Sequence, residues 1–262
     1  MHTKTDILIP AALAGLLLIA AELVVFGVQS LSEGTADFWR MLWFAGAFLL
    51  VLFAAAAKAA TSRRDRLFTV SAAVLAASSA GLLVFVDTEI IQHLIAAGCA
   101  VLLFSATRSH ARFVRGEAVS SARSTLSVFH LAAMFFFFAL SAAVHINFSV
   151  PPWFLMGVFF LVPFLISVHS FLLARPKKTA EAVSYAAAIG VVFFQLAWFV
   201  HFWPFGYLTI AAVLLVVFYA LWDLLQSRLE EVFSTKRFFA DAAIVAVLGG
   251  IVLLSTPWNM AG

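Results

Sequence analysis

The feature that most constrains this chain is the length of its unbroken apolar runs. There are nine, at roughly 8–29, 38–60, 67–86, 89–107, 124–146, 153–174, 182–202, 206–225 and 239–257. At 1.5 Å per residue, about 20 apolar residues cross a hydrocarbon core of about 30 Å. In lipid every backbone N–H and C=O must be paired internally, so runs of this length fold as helices. A barrel would show short alternating strands instead. Composition agrees. Hydrophobic residues are 64% of the chain and charged residues 11%, where a soluble domain carries about a quarter charged. The expectation is an all-α integral membrane protein, a bundle of about nine transmembrane helices. It forms one polytopic domain over residues 1–262, with no polar stretch long enough for a soluble domain. The run at 89–107 is the least regular, because it opens with Glu89, Gln92 and His93. The first run is too long for a signal-peptide core and no cleavage motif follows it.

Orientation follows from the basic residues. With nine spans, 15 of the 16 Lys and Arg fall on one side and Arg40 alone on the other. Cytoplasmic loops carry that excess, so the N-terminus is expected inside and the C-terminal "TPWNMAG" outside. This places the chain in a bacterial inner membrane. The net charge of +3 suits an anionic leaflet and requires no nucleic-acid partner. Trp39, Trp153, Trp203 and Trp258 cluster near the outer boundary, with Trp222 at the inner one, as an aromatic belt. Pro151, Pro152 and Pro204 punctuate tight outer turns. Thr69, Ala73, Ala77 and Gly81 recur every four residues and would admit a close neighbour, as would Gly249 and Gly250. Phe135–Phe138 points around its whole helix and reads as packing and lipid contact. No internal repeat supports an inverted-repeat transporter. The single cysteine, Cys99, permits no disulfide within the chain.

Polar groups inside such helices are the functional candidates, because each is costly there. Sorted by depth, Glu22, Gln92, His93 and Gln195 lie in the outer half. His145, Asn147 and His201 lie near the outer edge, with Asp87 and Glu89 just before His93. His130 and His169 lie in the inner half. Three readings compete. In the first, Glu22 pairs with His93 or Gln195 as a structural bond between helices, and the interfacial histidines sit among headgroups. In the second, Glu22, Gln92, His93, His145, Asn147, Gln195 and His201 form an outward-facing pocket. A membrane enzyme or proton-coupled carrier would use it on a lipid-linked or small substrate, with a titratable acid–base pair. In the third, His130, His145, His169 and His93 or His201 ligate b-type haem. His130 and His145 are 15 residues apart, about 22 Å along one helix and within about 60° of one face. No divalent-metal, HExxH, GxSxG or Ser–Lys signature occurs, and no metal site is expected. The glutamate pair in "RLEEVFSTKR" is like that of CAAX-type intramembrane proteases, but the basic spacing after it differs.

The C-terminal third, "QLAWFVHFWPFGYLTIAAVLLVVFYALWDLLQSRLEE" followed by "KRFFADAAI" and "LLSTPW", resembles an uncharacterised family of multi-pass membrane proteins. That family is found in reduced-genome candidate-phylum bacteria. The likeness covers about residues 190–258, through the "PFGYL" turn, the "LWDLLQ" helix end and the "TPW" tail. It implies a nine-helix-like membrane protein with no assigned activity and carries over no catalytic residue. The leading expectation is therefore a non-enzymatic envelope component, lipid-associated or a subunit of a membrane complex.

Overall fold

The computed structural model describes residues 5–29, 63–117, 119–148, 150–175 and 177–234, with isolated positions between 239 and 250. They form seven α-helices: α1 (Thr5–Gln29), α2 (Arg63–Leu82), α3 (Glu89–Val114), α4 (Val119–Asn147), α5 (Pro152–Ala174), α6 (Thr179–Val200) and α7 (Tyr207–Leu229). A 3-10 turn, Leu83–Phe85, extends α2. No strand occurs among the described residues. α2 to α7 give six helices long and apolar enough to cross a membrane, and α1 adds a shorter apolar stretch, Pro10–Val25. The chain is thus a helical membrane protein. The expected spans at 38–60 and 239–257, with Trp39, Arg40, Gly249 and Trp258, fall outside the continuous described segments.

The helices outrun the apolar runs at their basic ends. α3 continues to Val114 rather than 107, α4 starts at Val119 rather than 124, and α7 runs to Leu229 rather than 225. A helix satisfies its own backbone, so it does not stop where the hydrocarbon stops, and arginine and alanine propagate it well. Its end is set by caps. α3 closes in a Schellman motif, with Gly116 N–H on the Phe113 carbonyl (3.0 Å) and Glu117 N–H on the Arg112 carbonyl (2.9 Å). Gly116 supplies the left-handed turn at φ +76°. α7 ends in the same motif, through Glu231 N–H to Arg228 and Val232 N–H to Ser227. Here the left-handed residue is Glu231, at φ +63°, a conformation that crowds its Cβ. Pro152 opens α5 at its first turn, where a missing N–H costs nothing.

Contact density divides the chain into two compact units, Met1–Phe137 and Phe138–Gly262. In the first, α1 lies along α3 and the 3-10 turn, and Ala21, Val24, Val25, Leu83 and Ala96 form a buried core. On α2 the packed stripe is Ser71, Ala72, Leu75, Ala76 and Ser79, not the expected small-residue ladder; Ala77 of that ladder is exposed. Serine is as compact as alanine, and its hydroxyl bonds back to its own helix, as Ser71 does to the Leu67 carbonyl at 3.2 Å.

In the second unit, α5 and α6 make the most extensive contact. Its core is aromatic: Phe138 stacks on Phe193 at 5.1 Å, Phe193 meets Phe218 edge-on at 5.9 Å, and Phe159 lies 5.7 Å from Phe138. All four rings are buried. Gly190 lets α6 close on α5, because a Cβ there would sit 3.0 Å from two ring carbons of Phe160 and 3.1 Å from its carbonyl oxygen.

Candidate functional site

At the end of the first unit where α2 turns into α3, Glu22 of α1 meets His93 of α3. The Glu22 Oε1 to His93 Nδ1 distance is 3.0 Å, and Glu89 Oε1 lies 3.7 Å from the other ring nitrogen. Both partners of the short contact keep nearly half of their side-chain surface exposed. Gln92, one residue away, is buried and does something else. Its amide donates to the carbonyls of Leu83 (3.1 Å) and Val86 (2.6 Å). Those carbonyls belong to the 3-10 turn and its exit; the Leu83 carbonyl also accepts from Val86 N–H at 3.4 Å, so the amide of Gln92 reinforces the helix end.

The opposite, arginine-rich end of this unit holds a second ion pair that sequence reading missed. His110 Nε2 lies 3.0 Å from Asp65 Oδ1. The imidazole stacks on Phe68 at 4.3 Å and 9°, and Phe68 leans on Phe129 at 5.8 Å. His130, expected as a haem ligand, is buried beside Phe129 and interacts electrostatically with His110. His110 was missed because 108–123 read as a cytoplasmic loop. The signal lay in "RSHARFVRG", which lacks a breaker before its final glycine and so prolongs the helix.

In the second unit, the last turn of α4 and the turn just after α6 bring His145 and His201 together, with ring centroids 4.8 Å apart. Both line an open concavity of about 420 Å³ with Asn147, Phe148, Pro151 and Pro152. Asn147 spends its amide on the Ala143 carbonyl at 2.8 Å, leaving its side-chain oxygen as an acceptor. Gln195 does not join them; it is exposed on α6. The seven pocket candidates are thus shared out, with Glu22, Gln92 and His93 in the first unit and His145, Asn147, Gln195 and His201 in the second. The haem set divides too, since His93 and His130 belong to the first unit while His145 and His169 belong to the second. His145 and His201 as they stand do not fit one haem. Two imidazoles on opposite faces of one metal need ring centres roughly 6 Å apart, from metal–nitrogen bonds of about 2 Å.

The end of the second unit away from His145 and His201 is held by polar contacts. Trp222, expected as an interface marker, is buried and donates to Ser170 Oγ at 2.9 Å. Arg175 donates to the Glu230 carbonyl at 3.0 Å, and Lys178 meets Glu231 at 2.7 Å and Glu181 at 3.4 Å. The glutamate pair of "RLEEV" therefore caps and ties down α7.

Across this layout, residues 34–255 match the model of a family of proteins of unknown function, DUF5656. The chain belongs to the DUF5656 family. The matched stretch takes in α2 to α7 and leaves α1, with Glu22, outside it. No curated protein and no solved structure shows a significant match to this DUF5656 chain.

The Lys178–Glu231 contact carries a pH signature. Its hydrogen bond holds the Glu231 carboxyl below its ordinary value and the Lys178 ammonium above its own. A depressed carboxyl stabilises the fold above the usual carboxylate range and ceases to as pH falls through the lowered value. A raised ammonium stabilises below the usual lysine range and ceases to as pH rises through the raised value. Lys178→Met is therefore expected to lower the melting temperature slightly at neutral pH, with the difference from wild type vanishing at both extremes. The groups are exposed, so added salt should shrink it. A difference that is flat from acid to alkali would remove the ion pair as its source.

Proposed function

We propose that this DUF5656 protein is a nine-span component of a bacterial cytoplasmic membrane, with its N-terminus inside and its C-terminus outside. In this reading it is one polytopic domain acting without catalysis in the envelope, either lipid-associated or as a subunit of a membrane complex. The supporting observation is how the polar side chains of the apolar helices are used. Glu22 pairs with His93, Asp65 with His110, Gln92 with two carbonyls, Trp222 with Ser170 and Asn147 with Ala143. All but the last, which lies within α4, join neighbouring segments, which is what a polar group in hydrocarbon does when its work is structural. The charge bias of the loops supports the orientation.

A second reading has its own observation. The His145–His201 concavity is open, and the Glu22–His93 pair is half-exposed. A carrier or membrane enzyme acting on a lipid-linked or small substrate would hold its ligand at such imidazoles and exchange a proton at such a pair.

One experiment separates the two. In a depletion strain, Glu22→Gln with His93→Gln, and separately His145→Gln with His201→Gln, are expected to restore at least half of wild-type growth and envelope integrity. Complete loss of complementation, with normal yield and normal elution in detergent, would replace the first reading by the second.

A further inference from the structure

We infer that the outward face of α6 is the interface between two copies of this chain. Ser184, Ala188, Val191, Gln195 and Trp198 on α6, and Phe202 just beyond it, are all exposed. Their spacing is 4, 3, 4, 3, 4, the seam along which two helices pack at a shallow angle; at 100° per residue all six fall within about 40° of one line. The opposite face, Ala182, Ala186, Ile189, Gly190, Phe193 and Ala197, is the one buried against the rest of the unit. The seam is graded for close approach, with small side chains at its start and Trp198 and Phe202 at its end.

Gln195 decides the occupant. It lies about 8 Å inside the end of an apolar helix, where its amide finds no water. Facing acyl chains it would keep two donors and an acceptor unsatisfied, a penalty of several kcal/mol for a polar group in hydrocarbon. An amide is its own complement, because it donates through nitrogen and accepts through oxygen. Across a two-fold axis, Gln195 of one copy and Gln195 of the other satisfy each other. A single polar residue in an otherwise apolar seam also sets its register. Lipid offers no such partner, and a different protein would need to supply a matching group at the same depth.

The test uses the full-length protein in lipid vesicles in a Cys99→Ala background. Single cysteines at Ser184, Ala188 and Val191 are oxidised, with Gln195 intact. Disulfide-linked dimers at these three positions, and none for Ala186→Cys or Phe193→Cys on the buried face, are expected. In a fluorescence-transfer assay between labelled copies, Gln195→Leu should raise the dimer dissociation constant roughly three- to tenfold, the range for one amide bond between membrane helices, and Gln195→Asn should recover most of it. The inference is overturned if no position on the seam cross-links. It is equally overturned if Val191→Cys instead cross-links to a cysteine placed between 239 and 257 of the same chain, which would assign the face to the chain's own C-terminal segment.

Discussion

Gly190→Leu is expected to leave a chain that inserts into the membrane but no longer packs its second unit, with stability reduced by more than about 3 kcal/mol. Even the first carbon of a side chain would reach Phe160, at 3.0 Å from the ring and 3.1 Å from the backbone oxygen. The ring can turn; the carbonyl belongs to α5 and cannot move without the helix. Leucine would drive the two helices apart along their most extensive contact. Gly190→Ala should be milder, a net loss of about 1 kcal/mol, because alanine recovers about 1 kcal/mol of helix propensity against the clash. Gly157 is the control on α5. A Cβ there meets nothing within 4 Å, so Gly157→Ala should be neutral or slightly stabilising. Reversible unfolding in mixed micelles reads all three. Wild-type stability for Gly190→Leu would mean that α5 and α6 do not approach at this glycine.

Removing one partner of the Asp65–His110 pair is the second large effect. Breaking a fully buried pair costs about 3–5 kcal/mol. The Asp65 side chain keeps 27% of its surface and His110 only 9%, so about 2 kcal/mol is expected for Asp65→Asn after discounting for solvent. His110→Phe keeps the stacking on Phe68 and loses the ring nitrogen that meets Asp65; His110→Ala loses both. The difference between the two histidine variants measures the ring contact, expected near 1 kcal/mol. The double variant Asp65→Asn with His110→Phe should be less destabilised than the sum of the singles, since only one interaction is lost. Strictly additive losses would show that the two side chains do not act on each other.

Depth along the helices carried the sequence reading surprisingly far. It placed Glu22 level with His93 and Gln195, and left the choice between them open. The structure pairs Glu22 with His93 and turns Gln195 outward, because rotation about a helix axis is a matter of which neighbours pack, not of depth. The same limit explains His145 and His201: each was read as interfacial, and their contact at 4.8 Å depends on how the ends of two separate helices pack against one another. His110 was lost for another reason. An apolar window closes where arginines begin, whereas the helix carries on to the cap at Gly116.

What the sequence determined by itself was class and helical content: continuous apolar runs must close their own hydrogen bonds in lipid, and only helices do so from one segment. It also showed that Lys and Arg cluster between the apolar runs, since that is read along the chain. The tertiary structure alone decided which face of each helix is buried, which polar groups meet, and where two helices come close enough to need glycine. Helices that are apolar all round have almost no amphipathic stripe to declare their inner face, so that information exists only once neighbours are in place.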